Sequence, residues 1–273
     1  MTGAPAFQLD HVGFDYEEGA PALRGLSLAI ARGERVALLG ANGSGKSTLL
    51  RVLDGLLHPA SGAVRAFGEP LDEAALRDAA YAQRFRRRVG FVFQNADAQL
   101  FSGTVREEIA FGPLQLGLAA AEIEARLADV AGMLGLEPLL DRPPFRLSGG
   151  EKKKVALASV LVVNPEVILL DEPTAGLDPR TQGWLLGLLA ELHRAGKTLV
   201  AATNELDLVP AFADRALVLD EGHALAADGP VERILADGDL LRRANVIHEH
   251  AHRHGETWHA HSHFHGGEHD HGH

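Results

Sequence analysis

Apolar residues follow two different spacings along the first 247 positions. Short apolar or alternating runs predict strands over residues 7–12, 34–39, 89–93, 167–170, 199–202 and 216–219. Helical spacing predicts helices over residues 46–57 and 179–194, and a helical insertion over residues 104–140. Because strands and helices alternate, the sequence predicts an α/β fold with a mainly parallel sheet that is covered on both faces.

The composition of the chain changes at residue 248. Residues 248–273 hold eleven of the fifteen histidines, and most other residues there are Gly, Glu, Asp and Ala. Such a segment lacks the apolar residues that are needed to bury a core. We therefore predict a globular domain over residues 1–247 and a disordered, histidine-rich tail over residues 248–273.

Charge and residue content exclude several classes of protein. The 273 residues carry a formal net charge of −11, which argues against a general nucleic-acid binder with its basic surface. The absence of cysteine excludes disulfides and thiolate metal sites. The longest nearly apolar run, residues 155–163, is shorter than the roughly 20 residues of a membrane helix. The first residues show no secretory signal. We expect any membrane-spanning part to come from other chains.

A phosphate-binding loop lies between the strand predicted at 34–39 and the helix predicted at 46–57. Residues 40–47 read Gly-Ala-Asn-Gly-Ser-Gly-Lys-Ser and match GxxxxGK(S/T). Glycines let backbone N–H groups surround phosphate oxygens, and the helix directs the positive end of its dipole at them. Lys46 can reach the β and γ phosphates, and the Ser47 hydroxyl suits Mg²⁺. The predicted nucleotide contacts of this region are Gly40, Asn42, Gly43, Gly45, Lys46, Ser47 and Thr48.

Two acidic residues follow the strand predicted at 167–170. Asp171, at the carboxyl end of a buried strand, is suited to hold hydrated Mg²⁺. Glu172, one position later, is suited to polarise an attacking water. The alternative is an ordinary strand end with two solvated acids, which the phosphate loop in the same chain makes the weaker reading.

Residues 147–151, Leu-Ser-Gly-Gly-Glu, form a second glycine-rich helix start. With these motifs together, the chain resembles the ATP-binding subunits of ABC transporters over about residues 7–245. The resemblance implies a P-loop NTPase fold of the ABC ATPase type, with antiparallel strands at the N-terminus and a helical subdomain over about residues 98–165. It also implies that Ser148, Gly149 and Gly150 contact the γ-phosphate on a second subunit's phosphate loop. Each complete site then needs two chains, in a homodimer or a heterodimer.

The same resemblance assigns roles to three more residues. Tyr16 would stack on adenine, and Asp178 would lie at the dimer seam. Gln94 would contact Mg²⁺ together with Ser47 and Asp171, and would also contact the attacking water. For Tyr16 the alternative is a tyrosine of the core or of a turn, and for Gln94 and Asp178 it is a solvated polar loop residue.

Residues 89–113 carry a narrower resemblance, to the ATPases of energy-coupling importers. They read Val-Gly-Phe-Val-Phe-Gln-Asn-Ala-Asp-Ala-Gln-Leu-Phe-Ser-Gly-Thr-Val and continue to Ile-Ala-Phe-Gly-Pro. In those systems the segment after the glutamine docks on a membrane scaffold. The resemblance therefore implies integral membrane transport subunits as partners, no nucleic acid, and a peripheral location on the cytoplasmic face of the cell membrane.

The chain departs from the family pattern after the strand predicted at 199–202. The family usually has a histidine after the threonine, whereas this chain reads Thr203-Asn204-Glu205. An asparagine amide can donate a hydrogen bond but cannot carry a proton charge. We hypothesise that Asn204 still contacts the γ-phosphate and that it slows or recouples hydrolysis. The alternative is a tolerated substitution, with Glu172 sufficient for catalysis.

The tail histidines are candidate ligands of a transition metal. An extended chain places residues i and i+2 on one side, and a helix pairs i with i+4, so either conformation brings imidazoles together. Nitrogen ligation suits Ni²⁺, Co²⁺, Zn²⁺ or Cu²⁺ rather than Mg²⁺ or Ca²⁺. A purification tag and a merely solvated tail are the alternatives. The candidate ligands are His248, His250, His252, His254, His259, His261, His263, His265, His269, His271 and His273.

Taken together, these features predict the ATP-hydrolysing subunit of a membrane importer for a transition-metal cation. Nickel or cobalt is the favoured ion and zinc is the alternative. A soluble metallochaperone NTPase that delivers nickel to an enzyme is a second possibility, but such chains share only the phosphate loop and the tail. A soluble ABC ATPase that acts on cluster assembly or nucleic acid is a third. The acidic charge counts against its nucleic-acid version, and the segment after Gln94 favours a membrane partner.

Overall fold

A computed structural model describes residues 3–16, 19–254 and 257–264, with residues 248–264 described by their backbone. The strands are β1 Phe7–Asp15, β2 Pro21–Ile30, β3 Arg35–Leu39, β4 Ser61–Ala66, β5 Glu69–Pro70, β6 Val89–Val92, β7 Val167–Asp171, β8 Thr198–Ala202, β9 Arg215–Leu219, β10 Leu225–Pro230, β11 Ile247–His254 and β12 Thr257–Phe264. The α-helices are α1 Lys46–Leu53, α2 Glu73–Arg77, α3 Ala79–Arg88, α4 Ala96–Gln99, α5 Val105–Gln115, α6 Ala120–Leu134, α7 Gly149–Leu161, α8 Pro179–Arg194, α9 Val209–Phe212, α10 Val231–Ala236 and α11 Gly238–Arg243.

The central sheet is six-stranded, in the order β10-β9-β3-β8-β7-β6. All neighbouring pairs are parallel except β9 with β10 at one edge. Strands β7 and β8 are buried at every position, as expected for a parallel sheet that is covered on both faces. Strands β3 and β7 flank β8, so the residues that follow them meet at one edge of the sheet. This arrangement brings the phosphate loop and Asp171 together.

A second sheet of four antiparallel strands, in the order β2-β1-β4-β5, packs on one face of the central sheet. A shared apolar core joins residues of β1 and β2 to residues of α1 and β7. Helices α5 to α8 cover the other face around a second core. The predicted parallel sheet, N-terminal antiparallel strands and helical part are therefore confirmed.

The helical insertion predicted over residues 104–140 consists of α5 and α6. Gly117, in a left-handed conformation (φ +70°), lies in the break between the two helices. Helix α6 ends at Gly135, a left-handed C-cap (φ 66°). Together with α7, these two helices form a packed unit that corresponds to the expected helical subdomain. Among the described residues, none of the helices combines the length and apolar character needed to span a membrane.

The start of the tail is described as an antiparallel hairpin of β11 and β12. The composition of this segment predicts disorder, whereas the structure has two paired strands. A strict alternation of residue types is also compatible with a pair of strands. His265, His269, His271 and His273 lie outside the described residues. The division of the chain at residue 247 stays a prediction.

Candidate functional site

The phosphate loop connects β3 to α1 through three glycines with positive φ. The φ angles are +151° at Gly40, +83° at Gly43 and +108° at Gly45. A Cβ atom on Gly45 would lie 2.2 Å from the carbonyl oxygen of Ala22, so no other residue fits there. Helix α1 starts at the next residue, and its N-terminal amides are oriented for an anion.

A cavity of ≈ 380 Å³ lies at the start of α1. It brings together residues from the N-terminal sheet, the phosphate loop, and the ends of β6, β7 and β8. These are the elements that carry the predicted nucleotide contacts. The lining residues are Tyr16, Pro21, Ala22, Asn42, Gly43, Gly45, Lys46, Ser47, Thr48, Gln94, Glu172 and Asn204.

Lys46 is the buried cation of this cavity, with 6% of its surface exposed. Its Nζ donates to two backbone carbonyls of the loop, at 2.8 and 3.1 Å, and to Asn204 Oδ1 at 2.9 Å. Burial lowers the pKa of Lys46, and the carboxylates of Glu172 and Asp171 partly oppose that shift. A desolvated ammonium with only neutral acceptors gains strongly from an anionic phosphate.

Ser47 and Asp171 provide oxygen ligands that suit a magnesium ion. Ser47 Oγ donates to Asp171 Oδ1 at 2.9 Å, and Asp171 is 4% exposed. Gln94 lines the same cavity. Hydroxyl, carboxylate and amide oxygens are the hard ligands that Mg²⁺ prefers, so the predicted set fits this ion. The structure brings the set together, and its role in magnesium binding stays a prediction.

Glu172 follows β7 in a left-handed backbone conformation, with φ of 42°. Its N–H donates to the carbonyl of Ala202 at 2.9 Å, and its Oε2 accepts the backbone N–H of Asn204 at 3.2 Å. Burial raises the pKa of this carboxyl, which is 8% exposed. Strain at a non-glycine residue and a raised carboxyl pKa are both typical of catalytic positions. The arrangement suits a general base that acts on water.

Asn204 connects the segment after β8 to the phosphate loop. Its Nδ2 donates to Asn42 Oδ1 at 2.7 Å, while its Oδ1 accepts from Lys46. The amide thus supplies a donor and an acceptor at once, whatever the pH. The amide nitrogen carries two hydrogens and the bond to Asn42 uses one of them, so Asn204 can direct the second to a γ-phosphate oxygen while its Oδ1 accepts from Lys46.

Tyr16 lies at the mouth of the cavity and is 41% exposed. Its hydroxyl is 3.1 Å from Thr48 Oγ1, and its ring meets the edge of Phe14 at a centroid distance of 5.0 Å. The ring is therefore held by β1 and α1 and retains exposed surface. Stacking on adenine stays a prediction.

The Leu-Ser-Gly-Gly-Glu segment forms the start of α7. Ser148 is its N-cap in a capping box with Glu151: Ser148 Oγ accepts the N–H of Glu151, and the carboxylate of Glu151 accepts the N–H of Ser148 at 2.8 Å. Ser148 and Gly149 are exposed, and neither they nor Gly150 line the nucleotide cavity. The start of α7 is therefore preformed and accessible, and it lies apart from the cavity at the chain's own phosphate loop.

Asp178 caps helix α8. Its Oδ1 accepts the N–H groups of Arg180 and Thr181, each at 3.0 Å, and its Oδ2 accepts the Thr181 hydroxyl at 2.6 Å. The hydrogen bonds from Thr181 hold the pKa of this carboxyl below its usual range. A structural role is thus visible, and a position at a dimer seam stays a prediction.

Two residues near the site escape prediction from the sequence. Lys153 on α7 is 4% exposed, and its Nζ lies 3.3 Å from the carbonyl oxygen of Phe93. Gln99 joins the backbone of Phe93 to α7. In the run of lysines after Glu151, helical periodicity alone indicates that one of them faces inward, but it does not say what that residue contacts.

Comparison with known proteins agrees with this geometry. Residues 23–175 match the ABC transporter family. The nickel import ATP-binding protein NikO of Rhodobacter capsulatus is 55% identical over 246 residues, 89% of this chain and 96% of the relative. The structure of cbiO1 from Clostridium perfringens, part of the ABC transporter complex cbiONQ, superposes with a TM-score of 0.75 and 36% identity, covering 89% of this chain and 95% of the other. A dimeric ATP-binding cassette bound to ADP and Pi gives a TM-score of 0.74 and 29% identity, covering 82% and 98%.

The predicted resemblance is therefore confirmed, as is ATP hydrolysis as the activity of the family. The phosphate loop, the acidic strand end and the preformed helix start at Ser148 are all in the expected elements. The chain belongs to the ATP-binding subunits of ABC transporters.

Proposed function

We propose that this chain drives a membrane importer for a transition-metal cation, nickel or cobalt in preference to zinc. The observation that carries the ATPase part is the separation of two anion sites: the cavity at α1 and the exposed helix start at Ser148. One nucleotide needs both, so two chains must face each other. The relative named for nickel import and the histidine-rich tail support the choice of ion.

In this proposal the cavity residues divide the chemistry of hydrolysis. Lys46 exchanges its Asn204 contact for phosphate oxygens, which neutralises charge in a buried site. Ser47, Gln94 and Asp171 would hold Mg²⁺, which supplies charge neutralisation of the β and γ phosphates. Glu172 orients water and accepts its proton. The partner's residues 148–150 complete the site only when the dimer closes, so hydrolysis is linked to a change of dimer shape.

An exposed aromatic pair follows Gln94 and is suited to a membrane subunit. Phe101 is 66% exposed and Phe111 is 41% exposed, and their rings meet edge to face at 4.8 Å. The buried carboxylate of Glu108 accepts the N–H groups of Phe101 and Ser102, at 2.9 and 2.7 Å, and so fixes the loop. A held apolar pair on the surface is typical of a docking site. We infer that integral membrane subunits bind here, at the cytoplasmic face of the membrane.

The hairpin register supports a metal role for the tail. Strands β11 and β12 place His248 opposite His263, His250 opposite His261, and His252 opposite His259. Because successive strand residues alternate between faces, these six positions share one face. Directly opposed residues have Cα atoms about 4.5–5.5 Å apart, within reach of a single ion. We propose that this face binds the transported class of metal and that His254 and the remaining tail histidines add to it.

The decisive experiment is ATP-dependent uptake of radiolabelled nickel, cobalt and zinc into vesicles that contain this chain with its membrane subunits. The chain is compared with Glu172→Gln, which should abolish uptake, and with a form that lacks residues 248–273. We expect nickel or cobalt to accumulate, with a changed dependence on external metal when the tail is removed. Accumulation of zinc alone would establish the alternative ion. ATP hydrolysis without accumulation of any of the three would contradict metal import.

A further inference from the structure

The segment that carries Gln94 is fastened to helix α7, whose first residues are the Ser148 site. We call residues 93–99 the Gln94 segment. It runs from the end of β6 through α4, which packs against α7. Gln94 faces the nucleotide cavity, while Ser148 and Gly149 are exposed outside it. Any tie between the segment and the helix therefore connects the chain's own nucleotide site to the surface that meets the partner's nucleotide.

Lys153 provides the first tie. It lies four positions after Gly149, about one helical turn along α7. Its Nζ is directed at the carbonyl oxygens of Phe93 and Gln94, at 3.3 and 3.5 Å, and only 4% of the residue is exposed. A buried ammonium is costly without acceptors, so these carbonyls and Lys153 hold one another in place.

Gln99 provides the second tie through both ends of its amide. Its Oε1 accepts the N–H of Phe93 at 3.1 Å, and its Nε2 donates to the carbonyl of Ala156 at 2.9 Å and to Ser159 Oγ at 3.1 Å. The side chain thus bridges the start of the Gln94 segment and the middle of α7. A third contact, Lys152 with Asp97, is mostly solvated at Asp97 and contributes little.

We propose that Lys153 and Gln99 are positioning residues that hold the Gln94 segment and α7 as one unit. When Gln94 moves toward bound Mg-ATP, the helix start at residues 148–150 moves with it and is presented to the partner. The inference rests on ATP binding and dimer closure, and it is independent of which ion is transported. Neither residue lines the nucleotide cavity, so their loss should spare ATP binding and reduce the movement that follows it.

The absence of natural cysteine allows a direct test within one chain. Met133→Cys on α6 and Glu232→Cys on α10 introduce two exposed spin-label sites, one on the helical part and one on the central-sheet part. The distance between the labels is measured with and without Mg-ATP in the Glu172→Gln background, and ATP affinity is measured on the same samples. The test variants are Lys153→Met and Gln99→Ala.

Lys154→Met is the matched control, because Lys154 lies on the same helix and donates to a carbonyl of α6, that of Leu134, at 3.3 Å. We expect ATP to shift the label distance in the parent and in Lys154→Met. In Lys153→Met and Gln99→Ala the shift should fall below half, while ATP affinity stays within about threefold of the parent.

Three results would overturn the proposal. One is a full shift in both test variants. Another is a fall in ATP affinity that accounts for the lost shift. The third is a parent chain whose label distance does not respond to ATP, because there is then no movement to transmit. If Lys153→Met fails to fold, Gln99→Ala decides the matter alone, since it removes no buried charge.

Discussion

Replacing Asn204 by alanine tests how the chain prepares its phosphate site before nucleotide arrives. The change removes the acceptor of Lys46 and the donor to Asn42, and it keeps the backbone N–H that Glu172 accepts. A hydrogen bond to a charged group contributes about 1.5–3 kcal/mol, and Lys46 retains two loop carbonyls, so the lower end applies. With about 0.5 kcal/mol for the exposed contact to Asn42, the nucleotide-free protein should lose about 2 kcal/mol.

Thermal unfolding measures this loss of stability directly. For a chain of this size, about 2 kcal/mol corresponds to a Tm that is lower by about 4–8 °C. ATP supplies phosphate oxygens to Lys46, so most of the deficit should vanish when ATP is bound. The ATP-induced rise in Tm should therefore be larger in Asn204→Ala than in the native protein. Asn204→Asp keeps an acceptor for Lys46 and loses only the donor to Asn42, so most of the deficit without nucleotide should be absent, although its charge should weaken ATP binding.

Steady-state hydrolysis in the assembled transporter tests the second half of the reasoning. Loss of a contact to the γ-phosphate should lower the rate by roughly tenfold in Asn204→Ala. If asparagine slows turnover relative to histidine, Asn204→His should raise the rate. An alanine variant with native Tm, native ATP response and native rate would refute any role of the Asn204 side chain.

Four further substitutions have expected outcomes. Glu172→Gln should lower the rate of ATP hydrolysis by about 10²–10⁴-fold while ATP stays bound. Product release and nucleotide retention measure the two effects. A variant that hydrolyses ATP at the native rate would show that Glu172 is not the general base. Gly45→Ala should abolish binding of a fluorescent ATP analogue, whereas Gly183→Ala, in open space on α8, should stabilise the protein by about 0.5–1 kcal/mol. Burial raises the pKa of Asp54 from 3.8 to about 7. Between pH 3.8 and about pH 7 the native state therefore binds more protons than the unfolded state, and the protein loses stability as the pH rises through this range. Asp54→Asn should therefore stabilise the protein by about 1–2 kcal/mol in urea unfolding at pH 8 and by little at pH 4. The gain is limited because Asp54 is partly accessible to solvent. An equal gain in stability at both pH values would contradict this explanation.

The sequence by itself determined the elements whose signals are local. The phosphate loop is set by glycines that the backbone requires, and helix α8 runs over residues 179–194 as its spacing and its leading proline predict. The buried strand that ends at Asp171 is visible as an apolar run of the right length. In each case the residues that produce the signal are also the residues that form the element, so no distant contact is needed.

Only the tertiary structure decided the pairings that depend on residues far apart in the chain. The antiparallel order β2-β1-β4-β5 and the short helices α2 and α3 have no distinctive local pattern. The amide of Asn204 meets Lys46 across 158 positions, and Lys153 meets Phe93 across 60. A polar side chain shows its type in the sequence, but its partner follows from which strand ends and helices the packed cores bring together. That is why the motifs of the site could be predicted, whereas the tie between Gln94 and the Ser148 helix could not.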